Sequence, residues 1–139
     1  MSALLTLAGP WSPAAEHTPE QIRFFETHIR PAFIKYCYEC HSAEEKTSRG
    51  GLLVDTRERL LQGGDSGPAI ESGNPERSLL WEAITWFDED LEMPPDEKMP
   101  AEVIAHFKTW LRMGAPDPRK RDIADFKTSI SPKDIEEGR

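Results

Sequence analysis

Apolar residues recur along the chain at helical rather than strand spacing. Ile22, Phe25, Ile29 and Phe33 follow one another at intervals of three, four and four, which is one face of a helix, and Thr18 before Pro19 marks its start. Pro31 falls inside this pattern and is expected to kink or restart the helix. A second stripe, Val103, Ile104, Phe107, Trp110 and Leu111, opens near Pro100 and is closed by Gly114 and Pro116. Two shorter helices are expected between these. Asp55 and Glu58 form a capping-box-like pair ahead of one that Gly63-Gly64 stops. Asn74-Pro75 opens the other, which carries Leu79, Leu80, Ala83 and Ile84. The brief Leu52-Leu53-Val54 is the only strand-like run, too little for a sheet. The pattern predicts an all-α fold with long glycine-rich and acidic loops, its first and last helices crossing and packing.

Composition narrows the role of such a fold. The 25 Asp and Glu against 17 Lys and Arg leave a net charge of −8, the wrong sign for a nucleic-acid partner, while a basic-faced protein or a neutral small molecule remains open. No run of 18 apolar residues occurs and the mean hydropathy is −0.60, so no bilayer-spanning helix is expected. Residues 1–17 read as a flexible leader or a signal remnant: an apolar patch without a basic flank, broken by Pro10 and Pro13. Residues 18–118 form the domain, and 119–139 read as a charged tail or a linker to a missing domain.

The two cysteines fall together in Cys37-Tyr38-Glu39-Cys40-His41. Three residues apart at the end of a helical pattern, both thiols reach the same side of one turn, and the next imidazole can approach the centre of a macrocycle they hold at its edge. Cys-x-x-Cys-His is the attachment signature of c-type haem, with two thioether bonds and a proximal histidine. A redox dithiol would want a βαβ unit and a zinc site two further ligands at short spacing, neither of which the sequence offers; a structural disulfide remains the alternative. The second axial ligand should be a soft donor on a returning loop. Met93, in Leu91-Glu92-Met93-Pro94-Pro95, fits best, its backbone stiffened into an extended form by two prolines. Met99 abuts the last helix and has less loop to reach with, and Met113 reads as core filler. His17 and His28 read as solvated, and His106, at the edge of the last apolar stripe, is the alternative second ligand.

In order along the chain, Arg30-Pro31, the Cys37–His41 motif, Gly50-Gly51-Leu52, Asp55-Thr56-Arg57, Gly63-Gly64-Asp65-Ser66-Gly67-Pro68, Ser72-Gly73-Asn74-Pro75, Ser78-Leu79-Leu80, Met93-Pro94-Pro95 and Trp110-Leu111-Arg112-Met113-Gly114-Ala115 resemble the planctomycete cytochrome C domain. This is a class-I-like haem module found near the N-terminus of larger proteins, and the resemblance covers about Phe25 to Pro118. It implies a cytochrome c-like helical fold around one covalently attached haem c. Cys37 and Cys40 then carry the haem, with His41 and Met93 as the metal ligands.

On this reading the chain transfers single electrons and is not an enzyme, since no catalytic constellation is visible. The alternative is a haem-containing binding or sensing module for a polysaccharide, a gas or a partner protein. Covalent haem attachment is made outside the bacterial cytoplasm, so a periplasmic or cell-surface location is expected, as part of a larger exported protein. The glycine loop Gly63 to Pro68 either lets backbone amides approach a haem propionate or simply ends a helix. Arg57, Arg59 and Arg77 are candidate propionate partners. Glu82, Asp88, Glu89, Asp90, Glu92, Asp96 and Glu97 follow one another with no basic residue between, a solvated loop or a face for a basic redox partner.

Overall fold

The computed structural model describes residues 17–120. The expected tail from 121 onward, and the leader apart from His17, lie outside the described residues. Six α-helices form the frame, joined by long loops: α1 (Pro19–Phe24), α2 (Arg30–Tyr36), α3 (Tyr38–His41), α4 (Arg57–Gln62), α5 (Leu79–Ile84) and α6 (Ala101–Arg112). Among the described residues, strand is confined to the two-residue β1 (Thr47–Ser48), which bridges back to Ser42 and His41. The fold is all-α as the pattern predicts, but the strand is not at Leu52–Val54. That segment runs extended beside α3 without a ladder partner.

Thr18 caps α1 as a reciprocal capping box: its hydroxyl accepts from the Gln21 N–H at 3.2 Å, and the Gln21 side-chain oxygen accepts from the Thr18 N–H at 3.0 Å. The expected interruption at Pro31 takes a specific form. Residues Phe25–Ile29 make a π turn, in which the Arg30 N–H reaches the carbonyl of Phe25, before α2 begins with Pro31 in its first turn. Proline lacks the N–H and crowds the carbonyl four residues earlier, and the wider turn relieves that crowding without ending the helix. Phe25, Ile29 and Phe33 stay on one buried face across it.

That face packs on α6. Phe33 meets Phe107 and Trp110 edge-on, with ring centroids 5.2 and 5.8 Å apart, a favoured aromatic geometry. The chain turns back after Gly114 (φ 99°), where the Trp110 indole N–H donates to the Pro116 carbonyl at 2.8 Å. His28 is not a solvated residue: it stacks on His106 at 4.0 Å between centroids, at the edge of the same helix interface. His17 is also partly buried, its Nε2 accepting from the Asp117 N–H at 3.4 Å.

The two middle helices start differently from expectation. Thr56, not Asp55, caps α4, its hydroxyl accepting from the Arg59 N–H at 3.1 Å. Asp55 instead binds the Arg59 guanidinium at 2.7 Å and the Ala43 N–H at 2.9 Å, because a cation only 5% exposed needs a counter-ion. Asn74-Pro75 opens a single 3₁₀ turn, Pro75–Arg77, and α5 starts separately after Ser78, whose hydroxyl donates to the Asn74 carbonyl at 2.9 Å. Arg119, assigned to the tail by composition, is buried in the fold.

Candidate functional site

A cleft of about 750 Å³, counted to its open mouth, lies between the Cys37–His41 turn, α5 and the loop that follows α5. Its floor is apolar, from Val54, Ala69, Leu80, Ala83 and Ile84. Cys37 and His41 enter from the first turn, and Met93 with Pro94 from the loop.

The first turn is built by a break. Cys37 has φ −124° and ψ −33°, which ends α2 and starts the short α3 on a new axis. Cys40 and His41 then donate their N–H groups to the Cys37 carbonyl at 3.2 and 3.0 Å. Cys37 and His41 thereby face the cleft, whereas Cys40 sits in the same turn, partly buried, outside the cleft wall. Both thiols are free. Burial pushes the Cys37 thiol up to about 12; the nearby Arg119 charge pulls it partly back and Cys40 pushes it further.

His41 is held by the extended segment that follows. Its carbonyl accepts from the Val54 N–H at 2.9 Å, and its Nδ1 lies 3.0 Å from the Leu52 carbonyl. A carbonyl can only accept, so Nδ1 carries the proton and Nε2 keeps its lone pair for a metal. Met93 is placed by its own backbone, whose N–H donates to the Ala83 carbonyl at 3.1 Å, and its peptide bond to Pro94 is cis. It is 37% exposed, at the mouth of the cleft. Met99 is 3% exposed within the core, Met113 is partly buried outside that core, and His106 faces His28 rather than the cleft.

The polar rim carries a residue that the sequence did not single out. Arg49 lines the cleft beside Asp65 and Ser66, while Arg57, Arg59 and Arg77 do not. Arg57 donates to the Ala115 carbonyl at 3.2 Å, and Arg77 pairs loosely with Glu71 on the surface at 3.6 Å. Arg59 is buried away from the cleft, its Nη1 on Asp55 and its Nε and Nη2 without an acceptor. The signal for Arg49 was its place before Gly50-Gly51. The glycine loop ends a helix, as one of its two expected roles requires: Gly63 (φ 71°) closes α4, and Gly64 and Gly67 line the cleft. A Cβ at Gly63 would collide with the Gly67 carbonyl and one at Gly64 with the Gly50 carbonyl, so the two walls close only on glycine.

The donor chemistry fits a haem better than a bare metal ion. The Cys37 thiol, an imidazole with a free Nε2 and a thioether line an apolar cleft with a basic group at its rim, and the second thiol lies in the same turn just outside it. Among the described residues, no three of His, Cys, Asp and Glu gather to hold a metal ion by themselves. The family described as Planctomycete cytochrome C matches residues 37–97, from the first cysteine of the turn to just beyond Met93. No curated protein and no solved structure matches the chain.

Proposed function

We propose, for a chain whose residues 37–97 carry a planctomycete cytochrome C domain and so form a cytochrome c-type module, that one haem c is held covalently in the cleft of a cytochrome c-like fold and single electrons pass through it. When bound, the haem supplies reversible ferric–ferrous exchange. Cys37 and Cys40 would provide the two thioether sulfurs, and His41 and Met93 would be the iron ligands. The observation that carries this reading is the meeting of His41 and Met93 on one apolar cleft, with the His41 Nδ1 already committed to the Leu52 carbonyl. That bond fixes the ring and its tautomer, as partners of metal-bound histidines do.

With Met93 as a ligand no open position would be left for a substrate or gas, and the module would carry electrons rather than act as an enzyme. A thioether opposite an imidazole also favours the reduced state relative to harder ligands. Arg49, at the rim of the cleft, is the cation available to a propionate. The module works outside the cytoplasm, where covalent attachment is made, within a larger exported protein.

A visible spectrum tests this. The expected result is covalent haem that survives acid-acetone extraction, a low-spin ferrous α band and a weak ferric methionine-to-iron absorption. High-spin iron that takes up carbon monoxide readily would instead favour a binding or sensing module.

A further inference from the structure

Arg119 lies outside the family match and outside the cleft wall, yet its side chain reaches both parts of the chain that hold His41. It is 8% exposed, and Phe25 and Phe33 lie against its guanidinium with ring centroids 5.1 and 4.8 Å from Cζ. Nε and Nη2 donate to the two carboxylate oxygens of the fully buried Asp117 at 2.9 and 2.7 Å. That bidentate pair fixes the plane of the fork. Nη1 then donates in two directions, to the Tyr38 hydroxyl at 2.9 Å and to the Val54 carbonyl at 2.7 Å. Tyr38 belongs to the turn that carries the imidazole. Val54 ends the extended segment whose N–H binds the His41 carbonyl and whose Leu52 carbonyl meets Nδ1.

We propose that Arg119, oriented by Asp117, is a positioning residue for His41: it ties the Cys37–His41 turn to the Leu52–Val54 segment and so fixes the angle of the imidazole about its bond to iron. The inference rests on His41 as the axial ligand. Burying an ion pair is a poor way to add stability, since removing two charges from water costs more than most pairs return. Its yield here is geometric, because a planar fork holds three acceptors at fixed angles. A lysine offers the same charge without the fork.

The test compares wild-type, Arg119→Lys and Tyr38→Phe proteins, each loaded with haem, by NMR of the ferric state. The spread of haem-methyl shifts reports the imidazole angle, and exchange of the His41 Nδ1 proton reports its bond to Leu52. Arg119→Lys should change the methyl pattern and speed that exchange about tenfold, the order expected for losing one charge-assisted hydrogen bond. Tyr38→Phe removes a single hydroxyl and should shift both in the same direction by less. It decides the matter alone if Arg119→Lys does not fold. Variants that melt earlier but keep the wild-type methyl pattern and exchange rate would overturn the inference while leaving the haem reading intact. Wild-type protein without histidine-ligated low-spin iron would overturn both.

Discussion

At the scale of single residues, the two loop methionines lie in different surroundings, which lets the proposed ligand role be tested apart from packing. Met93 is at the cleft mouth and Met99 is in the core. Met93→Ala should give high-spin iron that binds carbon monoxide at a lowered potential, with little loss of stability. Met99→Ala should leave the absorption spectrum unchanged and cost about 2–5 kcal/mol in urea melts, as buried truncations do. A spectral change in the second variant and none in the first would transfer the ligand role. Cys37 gives a second expectation. A thiol whose pKa is raised to about 12 stays protonated at pH 9, and only the thiolate attacks an alkylating reagent. In haem-free protein at that pH, Cys37 should react with iodoacetamide about 10²–10³ times more slowly when folded than when unfolded in urea. Peptide mapping by mass spectrometry reads this directly. Equal rates would mean that the turn opens freely before haem is attached.

At the scale of elements, what was legible in the sequence was what burial writes as a period. The stripes of the first and last helices are long, and both helices are found with those faces buried against each other. The Cys37–His41 motif was legible because it is contiguous, and Met93 because a methionine in a polar loop is out of place as core. Features decided by distant partners were not. Asp55 and Thr56 are both good caps, and the choice between them is made by Arg59, which is buried only after the whole fold closes around it. That choice predicts an order of damage. Thr56→Ala should cost about 1 kcal/mol, the value of a cap, whereas Asp55→Ala should cost about 3–5 kcal/mol by leaving a buried guanidinium without its carboxylate. Urea denaturation of the two variants checks it, and the reverse order would restore Asp55 as the cap. Arg119 was illegible for a related reason: it sits in a stretch whose composition matches a charged tail, and its acceptors, Tyr38 and Val54, are 81 and 65 residues away.

At the scale of the whole molecule, the net charge of −8 is unevenly placed. The acidic run from Glu82 to Glu97 borders the cleft through Leu91, Met93 and Pro94, and Asp88, Glu89, Asp90, Asp96 and Glu97 are all exposed. Among the described residues, no ion pair neutralises any of the seven acids. Phe87, at 85% exposure, stands beside them and offers a partner an apolar contact within the charged field. If electrons leave through the mouth where Met93 lies, the partner presents lysines or arginines and long-range attraction raises the encounter rate. That attraction is screened beyond about 8 Å at physiological salt. Electron transfer to a basic acceptor should therefore slow as salt rises. Asp88→Asn, Glu89→Gln and Asp90→Asn together should flatten the dependence without altering the haem spectrum. Stopped-flow rates over a series of salt concentrations make the measurement, with a neutral inorganic acceptor as control. A triple variant that kept the full salt slope would move the docking face away from this loop, and an unchanged rate with Phe87→Ala would remove the apolar contact from it.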